Sequence, residues 1–226
     1  MRLVIFDLDQ TLVDLISVHD EATRELFSKF FGVDARLTEI DFAGKNLIDN
    51  FSELARLKGV PEEIFQKNVP QLLGNYETAF IKRLPKDAKN YVIPGARELL
   101  SALSKTAHVI ALYTGNSGKI ARAVLKVTGL GKYFRLCFYG TEVKSRADMV
   151  GLAAEKAEKL AGQQFKSKDI VVIGDSIRDV ESGKAYDALS IAVATGFHSR
   201  AQLRAAGADF IFDGVKEWRE ILEAMG

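Results

Sequence analysis

The chain carries a series of short, largely apolar runs: Leu3 to Phe6, His108 to Tyr113, Leu136 to Tyr139, Ile170 to Ile173, Ser190 to Ala194 and Phe210 to Phe212. Within them the apolar positions are continuous more than alternating, as expected of strands covered on both faces in a parallel sheet with helical crossovers. Segments of helical period lie between. Residues 118–128 place Ile120, Ala123, Val124 and Val127 on one face and stop at Gly129. Residues 147–161 place Met149, Val150, Ala153, Ala154, Ala157, Leu160 and Ala161 together and stop at Gly162, a usual helix terminator. The pattern predicts an α/β fold, a doubly wound and mostly parallel sheet with helices on both faces.

The interval from Asp14 to Val92 breaks this rhythm. It has no convincing buried strand and reads as amphipathic helices over Ile16 to Phe31, Asn46 to Lys58 and Pro61 to Arg83. The far edge of this interval, Pro85 to Asn90 and on to Pro94-Gly95, is polar and turn-rich, which suits a hinge. The expected organisation is a core built from residues 1–13 and 93–226, with residues 14–92 as an inserted helical lobe.

A chain of 226 residues, 47% hydrophobic, can bury a core and a small second lobe, which excludes disorder. Lys and Arg number 31 against 30 Asp and Glu, so bulk charge favours neither nucleic acid nor an acidic membrane surface. Cys137 is the one cysteine, too few for an internal disulfide or a cysteine-rich zinc site, and the expected location is the cytoplasm. Asp7 and Asp9 interrupt the amino terminus where a signal peptide would stay apolar, and no run is long enough to span a bilayer.

Chemistry gathers at the strand ends. The first run leads into Asp7-Leu8-Asp9-Gln10-Thr11, two carboxylates one residue apart at the carboxyl end of a parallel strand, where open α/β sheets place their sites. At later strand ends stand Thr114-Gly115-Asn116, then Lys144 beyond Tyr139-Gly140, then Gly174-Asp175-Ser176 with Asp179 four residues on. Each is weak alone, and together they appear in the order of a known set. The chain resembles the haloacid dehalogenase superfamily, whose motifs are an Asp-x-Asp-x-Thr strand end, a Thr or Ser after a second strand, a Lys or Arg before a helix, and an acidic Gly-Asp loop. The resemblance covers the whole chain, because the helical insert looks like the small cap of phosphoglycolate phosphatases and β-phosphoglucomutases on a Rossmann-like core.

What the resemblance implies is phosphoryl transfer. Asp7 would be the nucleophile and Asp9 the general acid and base. Thr114, Gly115, Asn116 and Lys144 would hold the phosphoryl group, with Arg146 as the rival cation. Asp7, Asp175 and the backbone carbonyl of Asp9 would bind Mg²⁺, and Asp179 would orient the cation or a metal-bound water. His19 and Lys45 are candidate substrate contacts on the cap, although a polar interface histidine and a surface lysine are the plainer readings of each. Cys137, Trp218 and the Phe-rich cap faces read as packing.

Competing readings separate on the same residues. Dehalogenases of the superfamily lack the second Asp, cation-pumping ATPases have Thr in its place, and a P-loop at Gly115 to Lys119 lacks its first glycine and its Ser or Thr. The expected activity is Mg²⁺-dependent hydrolysis of a small-molecule phosphate ester, phosphoglycolate first, by a monomer or homodimer without nucleic-acid or membrane partners. A hexose phosphomutase and a non-catalytic binding protein that keeps the fold are the alternatives.

Overall fold

The structure, a computed structural model, describes every residue except Lys144. In chain order its elements are β1 (Leu3–Phe6), α1 (Ile16–Phe31), α2 (Leu47–Leu57), α3 (Glu62–Arg83), α4 (Ala96–Leu103), β2 (Val109–Thr114), α5 (Gly118–Thr128), β3 (Leu136–Tyr139), α6 (Arg146–Ala161), β4 (Ile170–Gly174), α7 (Ile177–Lys184), β5 (Leu189–Val193), α8 (Arg200–Ala205), β6 (Phe210–Phe212) and α9 (Trp218–Met225). All the strands pair in parallel, in the order β3-β2-β1-β4-β5-β6. The continuous apolar runs have a direct cause. Val4 and Phe6 of β1 face a layer that includes Leu99 of α4 and Val124 of α5, while Leu3 and Ile5 face Val150 and Ala153 of α6. Each residue of β1, β2, β4 and β5 therefore leaves water on whichever face it points to, worth roughly 1.5–3 kcal/mol for a fully buried Leu, Ile or Phe, whereas β3 begins half-buried and the edge strand β6 is half-buried with Phe210 exposed.

Helix phase is where the sequence expectation fails. In α5, Ala123 and Val127 are half-buried, whereas Ala121, Leu125 and Thr128 are buried beside Ile120 and Val124. That helix touches β3 on one side and α3 on another, so its buried stripe is wider than a sheet face alone would make it. In α6, Met149, Val150, Ala153 and Ala157 are buried, but Ala154 and Ala161 are half-buried and Leu160 is exposed.

The segment between β1 and α4 is helical, with α1 and α3 packed along each other and α2 against α3. Its amino- and carboxyl-terminal connections run side by side. Val13 pairs antiparallel with Val92, the Asp14 amide donates to the Tyr91 carbonyl at 2.8 Å, and the Ile93 amide donates to the Leu12 carbonyl at 2.9 Å. The buried side chains of this insert, Phe27, Phe51 and Phe80 among them, run without a break into those of the sheet. Among the described residues no helix is long and apolar enough to cross a membrane.

Candidate active site

Three neighbouring strands end at one place. Thr114 closes β2, Asp7 follows β1, and Asp175 follows β4, so the central strands of the sheet deliver a hydroxyl and two carboxylates to the carboxyl edge. The chain after Asp7 turns back at once. The Leu12 amide donates to the Leu8 carbonyl at 2.9 Å and the Gln10 amide to the Val13 carbonyl at 2.7 Å. Gln10 takes φ of 60° to make this turn, a left-handed conformation that costs a residue with a Cβ. Its strain is met by two contacts: its side chain donates to Asp14 Oδ1 at 2.7 Å and its carbonyl accepts from the Thr195 hydroxyl. The turn carries Asp9 to the insert side of the cavity.

Arg146 lies at the first turn of α6, after Ser145, whose side chain caps the Asp148 amide. Its guanidinium reaches Asp7 with Nη2 and Asp179 Oδ1 with Nε, the latter at 2.6 Å, and stacks on the Tyr113 ring at 4.2 Å. All four side chains are buried. Lys144, the cation placed first by motif spacing, lies outside the described residues; among the described residues Arg146 is the cation that meets Asp7.

Asp179 is fully engaged. Its Oδ1 accepts from Tyr113 and Arg146, and its Oδ2 accepts from the Ser176 amide at 2.9 Å and hydroxyl at 2.7 Å. Asp175 accepts from the Thr11 hydroxyl through Oδ1 at 2.9 Å. One carboxylate oxygen from each of Asp7, Asp175 and Asp179 falls within 4.8 Å of the others. Among the described residues three buried carboxylates thus share one guanidinium. The Asp7 carboxyl is pushed up to about 7, by burial first and by Asp179 and Asp9 next, against the pull of Arg146. Burial and the charges of Asp7 and Asp179 likewise push Asp175 well above the usual carboxylate range. A hard divalent cation fits this oxygen set and the negative charge left over among the described residues. Among the described residues Asp7 and Asp175 each engage one oxygen and leave the other for a ligand, whereas both oxygens of Asp179 are engaged.

Asp9 joins the insert to the core. Asn116 Nδ2 donates to its Oδ2 at 2.6 Å, and His19 Nε2 lies 3.2 Å from its Oδ1. His19 is buried in α1, and its Nδ1 lies 2.7 Å from the Tyr76 hydroxyl. With an Asp9 oxygen as the acceptor the tautomer follows: Nε2–H donates to Asp9, and Tyr76 O–H donates to Nδ1. The cavity is lined by Asp7, Asp9, Thr114, Gly115, Asn116 and Asp175 from the core and by His19, Lys45 and Asn50 from the insert. His19 and Lys45 therefore both reach it, but the Lys45 ammonium is 2.5 Å from Glu53 Oε2.

The loop before α2 closes the cavity from above. Arg178 of α7 donates to Asp41 Oδ2 at 2.9 Å and to the Ala43 carbonyl at 2.8 Å, and Phe42 packs edge-on against Phe197. Gly44 has φ of 72° and lies so near Ser176 and Arg178 that a Cβ there would be 2.7 Å from Ser176 Oγ. A Cβ on Gly115 would strike the Lys45 carbonyl. Sequence reasoning missed Tyr113, Tyr76, Asn50 and Arg178. Only Arg178 carried a signal, its place inside the acidic Gly-Asp loop.

A family model for haloacid dehalogenase-like hydrolases matches residues 4–193, which takes in the sheet from β1 to β5, the insert and every strand-end residue described above. Among curated proteins, a "probable phosphatase IndB" from Dickeya dadantii is 29% identical over 222 residues, covering 95% of this chain and 90% of that protein. A phosphoglycolate phosphatase from Synechococcus elongatus is 25% identical over 215 residues, covering 94% and 93%. Among solved structures, a β-phosphoglucomutase from Clostridium difficile superposes with a TM-score of 0.79 at 18% identity, covering 100% of this chain and 97% of that one, a likeness of fold. Strand order, acidic strand ends and family match agree, and the chain belongs to the haloacid dehalogenase-like hydrolases.

Proposed function

We propose that the chain is a Mg²⁺-dependent phosphomonoester hydrolase for small molecules and works through an aspartyl-phosphate on Asp7. The observation that carries the reading is the set of strand ends that puts the buried Asp7 carboxylate, with Arg146 on one oxygen, into a cavity that also holds Thr114, the turn at Gly115 and Asn116, and Asp9. Asp7 and Asp175, with the Asp9 carbonyl, would hold the Mg²⁺, which neutralises charge on the phosphoryl oxygens when bound.

The side chains divide the reaction between them. An Asp7 oxygen attacks phosphorus in line as the bond from phosphorus to the ester oxygen breaks, and Asp9 gives its proton to the departing alkoxide. Asp9 then takes a proton from water, whose oxygen attacks phosphorus and releases phosphate and the Asp7 carboxylate. Thr114 and Asn116 would hold phosphoryl oxygens at the start of α5, and Arg146 would neutralise a further share of their charge. Asp179 and Tyr113 fix the guanidinium in place. His19 and Asn116 hold the Asp9 carboxyl, so loss of either should misplace the proton more than the nucleophile.

Residues 14–92 would act as a cap that selects the substrate and excludes water. Phosphoglycolate, named in several relatives, is the reference compound. The phosphomutase alternative needs a cation on the insert for a second phosphate, and among the described lining residues the insert offers Lys45, already paired with Glu53. A cytoplasmic location agrees with the single, half-buried Cys137. The test is hydrolysis of p-nitrophenyl phosphate in Mg²⁺ and in chelator. Turnover that needs Mg²⁺ and falls at least about 10³-fold in Asp7→Asn supports the reading. Turnover retained in Asp7→Asn overturns it.

A further inference from the structure

The insert's share of the cavity wall is mostly apolar, through Ile16, Leu37, Phe42 and Leu47. Three polar groups interrupt it. His19 is occupied at both ring nitrogens, by Tyr76 and Asp9. Lys45 is neutralised by Glu53. Asn50 differs, because it is 3% exposed and its Oδ1 has no hydrogen-bond partner among the described residues. Its Nδ2 faces the Phe42 carbonyl at 3.4 Å. That contact sets the direction of the amide, since the flipped form would put oxygen against oxygen.

A buried acceptor without a donor is a costly thing to keep, and in a ligand cavity it marks the place of a ligand donor. A ligand carboxylate or second phosphate meets the opposite situation. It would be drawn out of water against apolar side chains, near Asp7, Asp9 and Asp175, with the cation of the insert already committed.

Resting on the phosphatase reading, we propose that the alcohol released from the substrate is a small neutral one, with an apolar flank and a hydroxyl or N–H group that donates to Asn50 Oδ1. Esters whose leaving group carries a carboxylate or a second phosphate are disfavoured, phosphoglycolate among them. Asn50 and the Lys45–Glu53 pair are then the specificity determinants, one by attraction and the other by withholding a charge.

Three esters of similar size test this in the wild-type protein with Mg²⁺: hydroxyethyl phosphate, phosphoglycolate and propyl phosphate, with p-nitrophenyl phosphate as the unselective reporter. The expected kcat/KM for hydroxyethyl phosphate exceeds that for each of the other two by at least about tenfold, because a site with a buried polar group penalises the ligand that leaves it unpaired. Glu53→Gln frees the Lys45 charge and should raise kcat/KM for phosphoglycolate several-fold relative to that for hydroxyethyl phosphate. Asn50→Leu should erase the advantage of hydroxyethyl over propyl phosphate. Phosphoglycolate turned over as well as hydroxyethyl phosphate by the wild type overturns the inference, and if p-nitrophenyl phosphate is still hydrolysed the phosphatase reading stands. No ester turned over in Mg²⁺ overturns both. The wild-type comparison is independent of whether the variants fold.

Discussion

Arg146→Met removes the guanidinium that pairs with two buried carboxylates, Asp7 and Asp179. Taking one partner from a buried ion pair typically costs about 3–5 kcal/mol, because the charge left behind has lost its water as well as its partner. Two features place this site at the lower end. Asp7, already pushed up to about 7, can escape by taking a proton near neutral pH. Asp179 keeps the bonds from Tyr113 and from the Ser176 amide and hydroxyl. The expected loss is about 3 kcal/mol, against the 5–15 kcal/mol of a typical folded domain. In an Asp179→Asn background the same replacement strands one carboxylate fewer, so the losses should fall short of additivity by about 1–2 kcal/mol. Urea denaturation in chelator at pH 7, with the slope on denaturant compared across the cycle, gives both quantities. Arg146→Lys should fall between, since it returns the charge without the two-pronged geometry that spans Asp7 and Asp179. A loss under about 1 kcal/mol for Arg146→Met, or simple additivity with Asp179→Asn, would refute the view that this guanidinium holds the acidic centre together.

Two further outcomes follow from the backbone and from titration. Gln10 holds φ of 60°, so Gln10→Gly relieves the strain while Gln10→Ala keeps it; the glycine variant should be the more stable of the two by about 1 kcal/mol in thermal denaturation, and equal stability would count against strain at this turn. His108 is held below its usual 6.5 by burial, with the amino terminus and Arg2 adding to the effect, and its Nδ1 accepts the Arg2 amide at 3.0 Å. Its folded value is depressed, so below about pH 6.5 the unfolded chain binds a proton that the folded chain resists, and stability falls as pH drops through that range. His108→Asn keeps an acceptor and should flatten this part of the profile, as melting temperatures at pH 8 and pH 5.5 would reveal.

The strands and the helices over 16–31 and 62–83 were legible in the sequence because burial on both faces of the central strands leaves unbroken apolar runs, and because those helices have strong stops. Helix phase was not. The α5 stripe of Ile120, Ala123, Val124 and Val127 assumes a single covered face, whereas α3 and the sheet both press on that helix and bury Ala121 and Leu125 instead. Asp7, Thr114 and Asp175 stand where β1, β2 and β4 end, since spacing from a strand fixes where a side chain emerges. The cation was harder to choose. A buried arginine in the first turn of a helix opposes the helix dipole, and what holds Arg146 there is Asp7 and Asp179, far apart in sequence. Asn50 and the Lys45–Glu53 pair were invisible for the same reason: the sequence supplies residue types, but not which charges find each other or which amide oxygen is left over.

The central claim is a covalent bond between Asp7 and phosphorus. Wild-type protein mixed with a phosphate ester and Mg²⁺, quenched in acid within the first turnover and reduced with borohydride, should carry homoserine at position 7 in its amino-terminal peptide, because borohydride reduces an acyl phosphate and spares a free carboxylate. The mark should be absent without substrate. Homoserine at position 9, or steady turnover with no reducible intermediate at position 7 at any quench time, would contradict the account.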